Sequence, residues 1–256
     1  MPSALIVEDE PEANELLAML VQLRGYRTDS AFTGGEALEI ARRRRPDVVF
    51  LDLMLPDING YEVCRALRAE RTTGAIPVVM VTARLADQNR VQGFRVGAAE
   101  YVPKPYTPDQ IFEALARAGD WRRGLVEGAA EGTIALDASA EVDLLLGLSR
   151  LRGLVLARTS LPEGIALELD RLLIDVAARA VDWGRQHGAA RVASLDYRCD
   201  DRGVEVTIRD ESGWFADDPP GDADGLGGLL ARGGAIRVSP DAERARVVLS
   251  AADDRP

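Results

Sequence analysis

The sequence predicts an α/β domain over residues 1–120, built on a doubly wound, five-stranded parallel sheet, followed by a second α+β sandwich over 132–256. Three observations carry that prediction. First, the apolar runs "ALIV" (4–7), "DVVFLDL" (47–53) and "IPVVMVTA" (76–83) are rich in Val, Ile and Leu and do not alternate with polar residues. That is the pattern of strands buried on both faces of a parallel sheet. Second, amphipathic stretches at about 11–23, 35–44, 60–70, 87–96 and 107–118 separate them and two weaker strands, "YRTDSA" (26–31) and "EYVP" (100–103). Third, Gly25, Gly34, Gly60 and Gly97 punctuate the ends. Five strand–helix units in this order give an open, doubly wound domain.

The second half reads differently. Residues 121–131, within "GDWRRGLVEGAAEG", are small and polar enough for a linker. "GTIALDA" then reads as a strand, with helices at about 139–157 and 163–187. "ARVASLDYRCD" and "GVEVTIRDES" alternate as two strands joined by a turn at Asp200–Gly203. The acidic stretch "WFADDPPGDADG" (214–225) has no periodicity and reads as a loop or lid. A helical turn (226–232) and the strands "GGAIRVS" and "ARVVLSA" close the domain. This order suggests helices over one face of a mixed sheet.

Charge narrows the function classes. The net charge is -11 and the pI about 4.8. From residue 121 onward, 17 arginines against 24 acids leave a net charge of −7. That argues against nucleic acid or an anionic membrane as the main partner, since a DNA-reading output should carry a basic recognition face. "RRRR" (42–45) instead suits the negative end of a helix dipole, with Pro46 behind it. Cys64 and Cys199 have no metal-type or redox-type spacing and are expected to be reduced thiols of a cytosolic protein. Neither a signal peptide nor a membrane span is expected.

In doubly wound sheets ligands bind at the carboxyl ends of the strands. There the sequence places Glu8, Asp9 and Glu10, then Asp52, then Thr82, then Lys104. Lys104 is the sole lysine beside thirty arginines. Clustered carboxylates repel one another unless a cation sits among them, and oxygen ligands on an open, watery rim suit Mg²⁺. A metal beside a carboxylate, a hydroxyl and an ammonium is equipment for holding a phosphoryl group. The compact ammonium on a flexible stem can reach one phosphoryl oxygen beside a metal, where a planar guanidinium would need bidentate room.

"LIVEDE", "VVFLDLMLPDINGYEVCRALR", "PVVMVTA" and "GAAEYVPKPY" together resemble the receiver domain of two-component response regulators, over about 1–120. The resemblance implies the flavodoxin-like fold and a set of roles. Asp52 would accept a phosphoryl group from a phosphohistidine on a partner histidine kinase or phosphotransferase. Asp9 and Asp52 would bind Mg²⁺, with Glu8 acting largely through water and the Met54 carbonyl as a further ligand. Thr82 would bond the phosphoryl oxygen, Tyr101 would change rotamer with it, and Lys104 would pair with the phosphoryl group ahead of a cis peptide to Pro105. The resemblance also allows a homodimer through the face at the fifth strand.

Residues 132–251 resemble, more loosely, the ATPase domain of the GHKL superfamily, nearest the anti-sigma-factor serine kinases. "IDVAARAVDWG" aligns with that family's Glu-Ala-x-x-Asn-Ala helix, "IRDESGWF" with its Asp-x-Gly-x-Gly box, and "DGLGGLLARGG" with its second Gly-rich segment. Asp175 and Asp210 would be the remnants of a nucleotide site. Departures are marked: Asp175 replaces Glu, Arg179 stands at the Mg²⁺-binding Asn, and Ser212 and Trp214 replace two glycines. No asparagine follows Asn89, so no shift of register restores that ligand. Side chains at the glycine positions would crowd a nucleotide. His187, the sole histidine, lies past the aligned helix, where an autokinase's phosphoacceptor is not expected.

The expected protein is therefore a cytoplasmic response regulator. Phosphorylation at Asp52 would switch a degenerate ATPase-like effector that acts through a protein partner, without DNA or membrane and without ATP hydrolysis. Two other readings stay open: an ATP-binding protein kinase or anti-sigma-type regulator with a working nucleotide site, and a transcription factor with an atypical DNA-binding domain.

Overall fold

The computed structural model describes residues 1–83, 87–201, 203–217, 237–241 and 244–250. It divides into two compact units, Met1–Glu127 and Gly128–Pro256. In the first, the strands are β1 (Ser3–Val7), β2 (Arg27–Ala31), β3 (Val48–Leu51), β4 (Val78–Thr82) and β5 (Glu100–Pro103). They alternate with helices α1 (Pro11–Gln22), α2 (Gly34–Arg44), α3 (Gly60–Ala69), the single turn α4 (Arg71–Gly74), α5 (Asp87–Arg95) and α6 (Pro108–Glu127). All pairings are parallel, in the order β2-β1-β3-β4-β5. The order reverses between β1 and β3, which opens a crevice at their carboxyl ends.

Why these residues build this sheet is visible in its burial. β1, β3 and β4 are almost wholly inaccessible, so their unbroken Val/Ile/Leu runs face helices on both sides. On one face Ile6, Phe50, Val79 and Val81 pack against Leu17 and Val21 of α1 and Ile111 and Leu115 of α6. Register sets the functional ends side by side. Val7 is paired with Leu51, so Glu8 and Asp52 leave the sheet together, and Asp52 N–H donates to the Val7 carbonyl at 2.9 Å. Thr82 is paired with Pro103, and Lys104 N–H donates to the Thr82 carbonyl at 2.9 Å.

The linker expected at 121–131 is corrected by α6, which continues to Glu127 and leaves only residues 128–130 before the next strand. Gly119 and Gly124 made this stretch look like a break. Trp121 and Leu125, one helical turn apart, extend the buried stripe of Ile111, Ala114, Leu115 and Ala118. Burying each such side chain is worth about 1.5–3 kcal/mol, more than the roughly 1 kcal/mol a helical glycine costs. The buried Arg68 guanidinium lies 5.6 Å from the Trp121 ring centroid and donates to the Gly97 and Gly74 carbonyls, each at 2.9 Å.

In the second unit β6 (Glu131–Asp137) leads into α7 (Glu141–Arg158) and α8 (Glu163–His187). There follow β7 (Arg191–Cys199), β8 (Gly203–Asp210), the short helix α9 (Trp214–Asp217), β9 (Arg237–Asp241) and β10 (Arg244–Ser250). The sheet runs β6-β7-β8-β10-β9, and α7 and α8 pack on each other and on β6 and β7. An ion pair of Arg152 with Asp170 at 3.0 Å ties the two helices together. The expected mixed sheet is corrected: each described pairing is antiparallel, and hairpin-length connections join β7 to β8 and β9 to β10. The expected lid is corrected at its start, where Trp214–Asp217 is helical and Trp214 fully buried. The helical turn expected at 226–232 and the second Gly-rich segment (224–234) lie outside the described residues.

The start of α3 sets how closely it approaches the crevice. A Cβ on Gly60 would lie 2.3 Å from the Asp52 carbonyl oxygen and 2.8 Å from the Leu53 Cα. Backbone cannot swing aside as a side chain can. Gly60→Ala is therefore expected to destabilise by about 1–3 kcal/mol, as overpacking does, despite alanine's helix preference of roughly 1 kcal/mol. Urea unfolding of the variant against the wild type measures the sign.

Candidate functional site

Four strand ends converge on the crevice. Glu8 and Asp52 form its floor, at 3% and 5% exposure, and Asp9 stands exposed at its mouth. One carboxylate oxygen from each of the three lies within 4.8 Å of the others. Lys104 reaches in from the end of β5. Its Nζ donates to Asp52 Oδ2 at 2.6 Å and to Glu8 Oε2 at 2.5 Å. The Lys104–Pro105 peptide is cis. Thr82 is fully buried at the end of β4. Tyr101 is half-buried on β5, in register with Met80 of β4. Met54, beyond Asp52, is exposed, and its N–H donates to Asp52 Oδ1 at 3.2 Å. Arg84, next to Ala83 in the sequence, lies outside the described residues.

One ammonium cannot neutralise three carboxylates, and the titration behaviour reflects this. Burial holds the Glu8 carboxyl above its usual range; Lys104 pulls it down, while Asp52 and Asp9 add to the rise. Burial also works against the Lys104 charge, but hydrogen bonds and attraction from Asp52 and Glu8 overcome it and hold the ammonium above its ordinary value. The donor set is all oxygen, partly buried and open on one side, with more negative charge than Lys104 balances. Those are the requirements of a hard divalent cation such as Mg²⁺, and Asp9, Asp52 and Glu8 fit it.

Three residues that the sequence reading passed over help shape the site. Asn14 of α1 is buried and bonded to the ends of β1 and β2. Asp57 accepts the N–H groups of Gly34 and Gly35 at 2.8 Å each, joining the loop after β3 to the start of α2. Tyr106 packs on the core beside Lys104, and burial raises its phenol. A signal existed for Asn14, a polar residue at the head of the buried stripe Leu17, Ala18 and Val21. None existed for Asp57, whose partners lie more than twenty residues away.

The second unit does not repeat such a site. Asp175 lies exposed on α8. Asp210, at the end of β8, accepts from the backbone N–H groups of Ser212, Gly213 and Trp214 at 2.9, 3.0 and 3.1 Å through Oδ1. Its Oδ2 accepts from Phe215 N–H at 2.9 Å. The carboxylate thus caps α9. Trp214 and Phe215 are buried directly after it, ring centroids 5.4 Å apart.

Comparison with known proteins agrees with the first unit. Residues 4–116 match the response regulator receiver domain. The chain is 35% identical over 179 residues to the transcriptional regulatory protein AfsQ1 of Streptomyces coelicolor, covering 63% of this chain and 77% of that protein. It is 41% identical over 107 residues to the DNA-binding response regulator MtrA of Mycolicibacterium smegmatis, covering 42% of this chain and 46% of that protein. A solved putative response regulator from Chloroflexus aurantiacus aligns at 31% identity with a TM-score of 0.45, covering 46% of this chain and 98% of that one. The chain belongs to the response regulators of two-component systems and carries their receiver domain at its N-terminal end. It spans under half the length of MtrA and of several other matched regulators.

The raised Glu8 carboxyl has a signed consequence. A group that binds its proton more tightly when folded contributes stability that is full below its unfolded value, here 4.5, and lost as pH rises through the folded value. Without divalent cations, Glu8→Gln is expected to gain stability relative to the wild type as pH rises above about 4.5. Urea midpoints at several pH values check this, and added Mg²⁺ is expected to narrow the gap.

Proposed function

We propose that Asp52 is the phosphoacceptor of a two-component relay, loaded in a Mg²⁺-dependent reaction from the phosphohistidine of a cognate histidine kinase or phosphotransferase. The observation that carries this reading is Lys104 Nζ bridging Asp52 and Glu8 in the crevice beside Asp9. An Asp52 carboxylate oxygen attacks phosphorus, the bond from phosphorus to the donor imidazole breaks, and the imidazole leaves. Mg²⁺, held by Asp9, Asp52 and the Met54 carbonyl with Glu8 acting through water, would supply charge neutralisation on the phosphoryl oxygens. Lys104 pairs with Asp52 beforehand and turns to a phosphoryl oxygen afterwards, which its flexible stem permits. The new group adds about two negative charges. Thr82 moves toward it and Tyr101 follows, so the face of α5, β5 and α6 changes. Since α6 runs to Glu127, that face continues into the segment before the second unit.

Leu16 and Met19 of α1, with Leu23 at its C-cap, are exposed along one stripe of a helix that begins just behind the acidic rim. A protein delivering a phosphoryl group to Asp52 can lie on that stripe. The second unit is a degenerate GHKL-like effector, signalling through a protein partner in the cytoplasm. Support comes from Asp210, whose lone pairs are engaged by α9, and from the buried Trp214 where the resemblance expects glycine. The described residues contain no helix long and apolar enough to cross a membrane. A second reading, a DNA-binding output, is favoured by relatives such as the DNA-binding response regulator MtrA.

Three outcomes are expected. Acetyl phosphate with Mg²⁺ labels the wild type and not Asp52→Asn, read by intact-protein mass spectrometry; label persisting in Asp52→Asn rejects the assignment. Leu16→Glu with Met19→Glu slows transfer from the kinase at least about tenfold, the scale of lost interface anchors, while the acetyl phosphate rate is kept. For the output, calorimetry shows no ATP–Mg²⁺ binding, and gel shifts at low salt show no DNA binding with or without phosphorylation. A phosphorylation-dependent shift would establish the second reading.

A further inference from the structure

We propose that Asn14 is the positioning residue for the acidic pair Glu8 and Asp9, holding the turn between β1 and α1 in its cation-binding shape. This rests on the reading of the crevice as a Mg²⁺ site. The turn from Glu8 to Glu10 has to be held somewhere, because it carries carboxylates that repel one another. At most helix starts the residue at the cap does this with its own side chain. Here the cap position is Glu10, and it makes no side-chain capping bond. The holding falls to Asn14, inside the first turns of α1 and 2% exposed.

Its bonds enclose the turn. Asn14 Nδ2 donates to the Glu8 carbonyl at 3.2 Å and the Ala31 carbonyl at 3.3 Å, with the Ile6 carbonyl at 3.5 Å. Asn14 N–H donates to the Glu10 carbonyl at 2.9 Å. Asp9 therefore sits between two carbonyls that are both bonded to one residue. Glu8 N–H donates to the same Ala31 carbonyl at 3.1 Å, so the end of β1 is fastened to the end of β2 at the same point. The amide orientation is forced: backbone carbonyls only accept, so nitrogen must face them. Oδ1 is then left for Ser30, whose hydroxyl donates to it at 2.6 Å. The result leaves the carboxylates of Glu8 and Asp9 out of capping, available to Lys104 and a cation. Residues that orient metal ligands from behind set metal affinity as well as activity.

The test is Mg²⁺ binding by the full chain, measured by isothermal titration calorimetry without any phosphodonor. Asn14→Ala is expected to weaken Mg²⁺ by about tenfold or more, the loss typical when a ligand's supporting partner is removed. Ser30→Ala, which removes only the donor to the amide oxygen, is expected to weaken it less but in the same direction, and it guards against misfolding of the first variant. Leu17→Ala, a core truncation in the same helix, is expected to lower the urea midpoint and leave Mg²⁺ affinity at the wild-type value. The proposal is overturned if Asn14→Ala and Ser30→Ala bind Mg²⁺ like the wild type while Asp9→Asn does not. It is equally overturned if Leu17→Ala weakens binding as much as Asn14→Ala, since the effect would then be loss of packing. A wild type that binds no Mg²⁺, or an Asp9→Asn that binds normally, defeats the metal-site reading itself and the positioning role with it.

Discussion

The ammonium of Lys104, held between two almost buried carboxylates, is the interaction on which the first unit turns. Two carboxylates side by side at a sheet end, with a third at the mouth, repel one another unless a counter-charge sits among them. Lys104 provides part of it, through bonds of 2.6 and 2.5 Å to Asp52 and Glu8. The remaining negative charge is what leaves room for a divalent cation. Guanidinium groups abound in this chain, yet the position takes its sole lysine. A compact charge on a flexible stem can serve Asp52 first and an incoming phosphoryl oxygen later.

That constraint explains much of the surrounding architecture. Strand register has to deliver Glu8 and Asp52 together, and the pairing of Val7 with Leu51 does so. The loop after β3 must stay close while α3 begins beside it, which Gly60 allows and Asp57 secures from the α2 side. The turn after β1 carries Glu8 and Asp9, and Asn14 bonds its backbone at the Glu8 carbonyl while accepting from Ser30. Each of these supports lies behind the carboxylates, so the rim itself remains free for ligands.

The two units contrast in how they use a strand-end aspartate. Asp52 has one oxygen on Lys104 and the other weakly engaged by Met54 N–H. Asp210 is committed to four backbone donors of its own chain. A carboxylate already saturated by a helix start has little left for a ligand, whereas one balanced by a mobile side chain can exchange partners. That difference in partners separates an aspartate whose ligand can exchange from one held by its own chain.

Much of this was legible in the sequence by itself. Unbroken apolar runs announced the parallel sheet, because a strand covered on both faces has no polar side. Glu8, Asp9, Asp52, Thr82 and Lys104 could be placed at strand ends by counting, and the first unit brings them to one crevice. The antiparallel order of the second sheet, the continuation of α6 through Trp121 and Leu125, and the bonds of Asn14 and Asp57 could not be read that way. Periodicity reports what a residue does within its own element. A helix end buried against a distant arginine, or an amide shared by the ends of two strands, depends on partners that only the folded chain brings within bonding distance.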